Sequence, residues 1–191
     1  MNEGYVKFKS TWISVELFQD IKKLNECREK FYSLKLIGMN NGIGYGNISI
    51  RKYEGFVISG TKTGGIEKLT EQNYTKVLNW NYDENHLSCV GKTDASSESL
   101  SHAAIYDSDK NVNAVIHVHS LNLWERLIDK IPTTSPDAEY GTPEMAREIF
   151  RLFKETNVKE KKILIMGGHK EGIISFGKDL DEAGNVLLNY F

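Results

Sequence analysis

No single periodicity runs through this chain of 191 residues, which restricts it to folds in which strands and helices share a core. Leu17, Ile21, Leu24, Phe31 and Leu34 recur at helical spacing and predict one long amphipathic helix over Val15–Lys35, stopped by Gly38. After a Gly/Asn-rich loop, Asn40–Gly46, the short β-rich segments Asn47–Arg51 and Gly55–Ser59 predict a hairpin. A Gly/Thr loop follows over Ser59–Gly65, Thr70 is placed to cap a short helix, and Lys76–Tyr82 with His86–Val90 predict a second hairpin around Asp83-Glu84-Asn85. The next elements are a helix over Ser97–Tyr106, a buried strand over Asn113–His119 and a helix over Leu121–Ile128. Thr142-Pro143 is an N-cap and first-turn pair opening a helix to Phe153. Ile163–Met166 and Gly172–Phe176 are strands, and Asp179–Tyr190 closes the chain as a helix with Asp179, Asp181 and Glu182 where the helix dipole favours acids. No repeat or linker interrupts this order, so residues 1–191 are expected to form one mixed α/β domain.

Composition narrows the function. Hydrophobic residues make up 40% and charged residues 26% of the chain, the proportions of a folded globular protein. A net charge of −2 leaves no surplus of Lys and Arg to neutralise a phosphate backbone, so nucleic acid is not an expected partner. The densest basic run, Lys159-Glu160-Lys161-Lys162, contains its own acid and reads as a solvated loop before a strand. Cys27 and Cys89 stand far apart without a metal or redox spacing, as reduced thiols do in the cytoplasm. Met1–Thr11 lacks the apolar stretch of a signal peptide, and nowhere is there a run of ~18 apolar residues, so no membrane association is expected.

The sharpest chemical signal is Ala114-Val115-Ile116-His117-Val118-His119-Ser120. Alternate side chains of a strand share a face, so His117 and His119 point the same way at a separation one cation can bridge. A bare His-x-His fits equally well two histidines satisfied by hydrogen bonds on a sheet face. His169 lies in the Gly-flanked connection Met166–Gly172 between two predicted strands, where a third ligand could enter, although a loop histidine alone is more often a surface residue than a ligand. Thr93-Asp94-Ala95-Ser96-Ser97-Glu98 directly precedes a helix, so Ser96, Ser97 and free N–H groups offer an anion site beside Glu98. By themselves these residues favour simple capping by Ser96 or Ser97 with Glu98 placed by the helix dipole. His102, one turn after Glu98, reads as a packed or supporting histidine. Gly46-Asn47-Ile48-Ser49 and Ser59–Gly65 are further turns able to donate to a phosphate, and neither holds a complete nucleotide-binding pattern.

Taken in order, these segments resemble the class II aldolase/adducin family. The likeness runs from about Leu36 to Ala183. It is carried by Gly46–Arg51, by Ser59-Gly60-Thr61 with Glu67-Lys68-Leu69-Thr70, by Ser96-Ser97-Glu98, by Asn113–Ser120, and by the His169 segment with Gly177-Lys178-Asp179-Leu180. The resemblance implies a central, mainly antiparallel sheet flanked by helices. It implies that His117, His119 and His169 hold Zn2+ or another divalent first-row metal, that Asn47, Thr61, Ser96 and Ser97 contact a substrate phosphate, and that Glu98 shuttles a proton. Epimerases of the family carry Asp where Glu98 stands, so the aldolase branch is the better match. In two places this chain departs from the family pattern: Lys170-Glu171 separate His169 from Gly172, and Lys62-Thr63-Gly64-Gly65 alter the second phosphate loop.

The implied activity is that of a lyase in carbohydrate metabolism, cleaving a C–C bond of a small ketose phosphate or related sugar derivative. The cation would act as a Lewis acid and stabilise an enediolate while Glu98 exchanges a proton. A dehydratase or decarboxylase acting on a sugar or sugar-acid phosphate could use the same ligands. A non-catalytic interaction protein like the adducin head is the alternative from another class, and it would lack the metal histidines. The resemblance further implies a homo-oligomer, a tetramer with sites between subunits, to which Tyr190 near the C-terminus could add a contact.

Overall fold

The computed structural model describes residues 6–17 and 20–191. The chain enters as a strand, β1 (Lys9–Ile13), which has no counterpart in the periodicity reading. It pairs in parallel with a later strand, and the Val15 N–H continues that attachment by donating to Gly91 O at 3.4 Å. This commitment to the sheet edge shortens the expected Val15–Lys35 helix. α1 covers Lys22–Ser33, and the Asp20 carboxylate accepts the Lys22 N–H at its start. Phe18 and Gln19, also part of the expected helix, lie outside the described residues.

α1 ends before Gly38, in a Schellman arrangement. Leu36 N–H reaches Phe31 O, Lys35 N–H reaches Tyr32 O, and Lys35 takes the left-handed conformation at φ 59°. The segment expected to be a loop is a small hairpin, β2 (Gly38–Asn40) with β3 (Ile43–Tyr45). Its two connecting residues, Asn41 and Gly42, both have positive φ (49° and 80°), as the tight hairpin turn demands.

The two expected hairpins are present as β4 (Asn47–Arg51) with β5 (Phe56–Ser59), and β6 (Tyr74–Asn81) with β7 (His86–Gly91). Between them Thr70 precedes a single 3-10 turn, Glu71–Asn73, where Asn73 Oδ1 accepts both the backbone N–H and the hydroxyl of Thr70. Downstream lie α2 (Ser99–Ser108), β8 (Ala114–His119) and α3 (Leu121–Leu127). α4 (Pro143–Glu155) is capped by Thr142 as expected, its hydroxyl accepting from Met145 N. The basic run is a one-turn helix, α5 (Val158–Lys161), rather than a loop, closed by Lys162 at φ 56°. β9 (Ile163–Ile165), β10 (Gly172–Gly177) and α6 (Leu180–Leu188), capped by Asp179, complete the described chain.

Eight strands form one sheet in the order β1-β7-β6-β5-β4-β8-β10-β9, antiparallel throughout except for β1 against β7. The expected fold class, a mainly antiparallel sheet flanked by helices, therefore holds. β8 lies between β4 and β10, and both of its faces are buried. Ala114, Ile116 and Val118 enter a core with Leu24 and Phe31 of α1, Leu123 of α3 and Leu187 of α6. Val115 enters the opposite core with Leu100 and Ala104 of α2 and Met145 and Ile149 of α4. The period of two thus assigns His117 and His119 to the α2/α4 side. No helix among the described residues is long and apolar enough to cross a membrane.

Ile116 is fully buried at the centre of this arrangement. Ile116→Ala is expected to cost about 2–5 kcal/mol, read as a lower urea midpoint at unchanged denaturant slope. A loss below about 0.5 kcal/mol, the scale of a surface change, would place Ile116 outside the core.

Candidate metal centre

His117 sits where β8 is paired on both sides, opposite Asn47 of β4 and Ile174 of β10. His119 is the last residue of that strand, because Ser120 caps α3 by accepting the Leu123 N–H on its hydroxyl. The connection between β9 and β10 brings in His169. Met166 N–H bonds Gly172 O, His169 N–H bonds Met166 O, and Gly172 N–H bonds His169 O. Lys170 and Glu171 are absorbed within this turn, Glu171 at φ 71°, so the departure from the family's His-Gly pattern leaves His169 facing the other two histidines. Glycine at 168 is required by packing, since a Cβ there would lie 2.0 Å from Ala138 O.

All three imidazoles are buried and their ring nitrogens converge. His119 Nε2 lies 3.1 Å from His117 Nε2 and 2.9 Å from His169 Nε2. His117 Nδ1 is 3.2 Å from Ile173 O; a carbonyl only accepts, so Nδ1 carries the proton and Nε2 keeps its lone pair. Each ring nitrogen has one in-plane position, a proton or a lone pair, so His119 Nε2 cannot complete hydrogen bonds with both neighbours. Histidines that satisfy one another, the alternative left open by a bare His-x-His, do not account for this cluster. The spacing fits a divalent cation: nitrogens about 2.0–2.1 Å from zinc in a tetrahedral site lie roughly 3.3 Å apart.

Burial also keeps the rings neutral, as metal ligation requires. It lowers His119 to about 4. Burial and the adjacent imidazoles His119, His169 and His102 depress His117, while burial, His119 and then Lys7 depress His169.

Glu98 is 2% exposed, with Oε1 3.8 Å from His169 Nε2. With His169 neutral this is no ion pair, and Oε1 has no hydrogen-bond partner. Oε2 accepts from the Ser101 hydroxyl at 2.9 Å. Burial pushes the carboxyl up to about 7, against the opposing pull of Ser101 and Lys7. α2 starts two residues later than expected: Ser99 N–H closes a tight turn onto Ser96 O, so Glu98 is the N-cap rather than a first-turn residue.

One cavity unites the expected site residues. Asn47, Thr61, Ser96 and Ser97 line it together with Glu98 and the three histidines. Asn47 is buried with its Oδ1 unpartnered. The periodicity reading missed Tyr45, whose ring lies 5.3 Å from that of His119, and Tyr140, whose ring lies 4.6 Å from that of His169 and carries Lys7 Nζ 4.0 Å from its centroid. His102 is packed in the interior, with Nδ1 2.7 Å from Ser49 Oγ. Tyr190 packs against the core that holds α1 and α6 and does not line this cavity.

Residues 25–189 match the family model described as Class II Aldolase and Adducin N-terminal domain. The chain belongs to that family. An L-fuculose phosphate aldolase of Haemophilus influenzae is 29% identical, the match covering 88% of this chain and 76% of that protein. The enzyme of the same name from Methanocaldococcus jannaschii is 28% identical over 86% and 87%. A crystal structure of l-fuculose-1-phosphate aldolase from Thermus thermophilus shares the fold with a TM-score of 0.65 at 18% identity, covering 87% of this chain and 86% of that one.

For this member of the class II aldolase family, elemental analysis should find about one divalent metal per chain in the wild type, and almost none in His117→Ala and His119→Ala. Full metal content in those folded variants would remove the histidines as ligands.

Proposed function

We propose that this chain is a metal-dependent aldehyde-lyase that cleaves a C–C bond of a small ketose phosphate, with zinc as the cation. One observation carries the reading: three neutral imidazoles converge on a point beside a buried carboxyl whose Oε1 is unpartnered, in a cavity also lined by Asn47, Thr61, Thr63, Ser96 and Ser97. The names of the relatives support the substrate class, since proteins called L-fuculose phosphate aldolase are 28% and 29% identical over most of this chain.

His117, His119 and His169 would hold the cation, which when bound would supply a Lewis acid for the substrate carbonyl. The chain's own groups do the rest. Asn47, Thr61, Ser96 and Ser97 bind and orient the phosphoryl group, so that the remainder of the sugar reaches Glu98. Cleavage takes a proton from the hydroxyl that becomes the aldehyde, which passes to solvent, and adds one to the carbon freed when the C–C bond breaks, which Glu98 Oε1 exchanges. Burial suits Glu98 to both directions of that transfer by bringing its pKa near neutrality. Ser101 fixes Oε2, leaving Oε1 as the working atom.

The enzyme is proposed to act in the cytoplasm as a homotetramer. Exposed apolar residues beside the site, Met39, Leu121 and Phe191, support a neighbouring chain at that edge.

Glu98→Gln keeps the size of the side chain and removes its proton chemistry. It should retain metal while kcat falls by about 10²–10⁴-fold, measured as aldehyde released from ketose 1-phosphates. Unchanged turnover would take Glu98 out of the mechanism. Loss of water or of carbon dioxide without aldehyde release would assign the site to a dehydratase or a decarboxylase instead.

A further inference from the structure

Arg28 is among the largest fully buried side chains of the described residues, 1% exposed and pointing from α1 into the protein. Its guanidinium runs beneath the loop after β5: Nη1 donates to Glu67 O at 3.0 Å, and Nη2 donates to Thr63 O at 2.9 Å and Gly64 O at 3.1 Å. All of these acceptors are backbone carbonyls. One turn along α1, the Tyr32 hydroxyl donates to Gly65 O, and its ring lies 5.4 Å from Arg28 Cζ.

A buried cation with only neutral acceptors is costly, and an apolar side chain would fill the same space in the core more cheaply. What the planar fork adds is direction, because it pins several carbonyls at fixed angles at once. Those carbonyls belong to a loop whose residues Thr61, Lys62, Thr63 and Gly64 line the cavity of the metal centre. In a planar trans peptide the N–H opposes the C=O, so drawing the carbonyls of Thr63 and Gly64 down to Arg28 turns the N–H groups of Gly64 and Gly65 away from it. The loop is held from its other sides too. Thr61 N–H bonds Asp94 O, the Thr63 hydroxyl bonds Gly60 O, and Gly64 lies so close to the β2–β3 hairpin that a Cβ would stand 2.5 Å from Gly38 O. Lys62 is kept at φ 61° within this frame.

We propose that Arg28 is a positioning residue whose fork holds the Thr61–Gly65 loop in the shape that binds the substrate's phosphoryl group. This rests on the reading of the cavity as a sugar-phosphate site. Arg28 touches neither substrate nor cation, and acts only through the loop backbone.

The test uses metal-loaded full-length wild type, Arg28→Met and Arg28→Lys, with inorganic phosphate as the probe in calorimetry. Metal content and thermal midpoint are measured alongside, as are kcat and KM for whichever ketose phosphate the wild type cleaves. Arg28→Met is expected to keep its metal, to bind phosphate roughly tenfold or more weakly, and to show KM raised by a similar factor with kcat changed much less. Added guanidinium ion should restore part of the phosphate affinity, and Arg28→Lys, which keeps the charge but loses the fork, should resemble Arg28→Met. Phosphate affinity and KM unchanged in folded Arg28→Met would overturn the proposal, as would failure of both variants to fold, which would make Arg28 a residue of the core alone. If the wild type binds phosphate but cleaves no ketose phosphate, the proposed activity falls, while the comparison of phosphate affinities still judges Arg28. If the wild type binds no phosphate, the positioning role falls with it.

Discussion

The pairing of β8 on both edges is the constraint on which the rest of the structure depends. A strand held between β4 and β10 cannot slip by one residue without exchanging the two cores, because Ala114, Ile116 and Val118 fill one and Val115 the other. The same register sends His117 and His119 to one face and sets Asn47 opposite His117. The hydrophobic pattern that stabilises the sheet is therefore also what aims the first two imidazoles. Only His169 needs a separate device, and the bonds closing Met166–Gly172 onto β10 supply it.

Around that fixed strand the site is assembled from backbone rather than from ion pairs. The Ile173 carbonyl sets the tautomer of His117, Ser120 ends β8 after His119, and the turn of Ser96 onto Ser99 places Glu98 at the head of α2. Salt bridges lie elsewhere, on partly exposed groups such as Lys162 with Glu182, where each adds little stability. A neutral interior set by burial suits a centre proposed to accept a cation and an anionic substrate together, since a resident charge would oppose one or the other.

Much of this was legible in the sequence, because period-two and helical patterns report burial directly. The strands of both hairpins, β8, α3, the cap of α4 and the acidic start of α6 lie where the residues predicted them. What escaped was structure fixed by partners distant in sequence. β1 has an exposed, irregular pattern and exists because β7 offers a free edge, so neither it nor the late start of α1 could be read locally. The β2–β3 hairpin did carry a signal, Asn41-Gly42, but its strands are too short to show alternation. Glu98, His117, His119 and His169 stood out as chemical types. Tyr45 and Tyr140 did not, since nothing in the composition of a loop tells which aromatic ring will lie against a histidine.

Arg28 shows the same limit from the opposite direction. In sequence it stands four residues after Leu24 and three before Phe31, on the apolar stripe of the helix, and it is as buried as both, yet nothing in that pattern tells which loop a cationic side chain there will hold. Buried polar atoms without partners are likewise concentrated near the cavity. Of the six side chains that have one among the described residues, Asn47 and Glu98 line the site, and Ser99 and His102 lie within a turn of Glu98 on α2. Each such atom lowers stability, and a core selected for stability alone would spread or remove them. Their clustering fits the proposal that this region gives up stability for binding. The Arg28 fork extends that cost beyond the cavity wall, to the helix on which the loop rests.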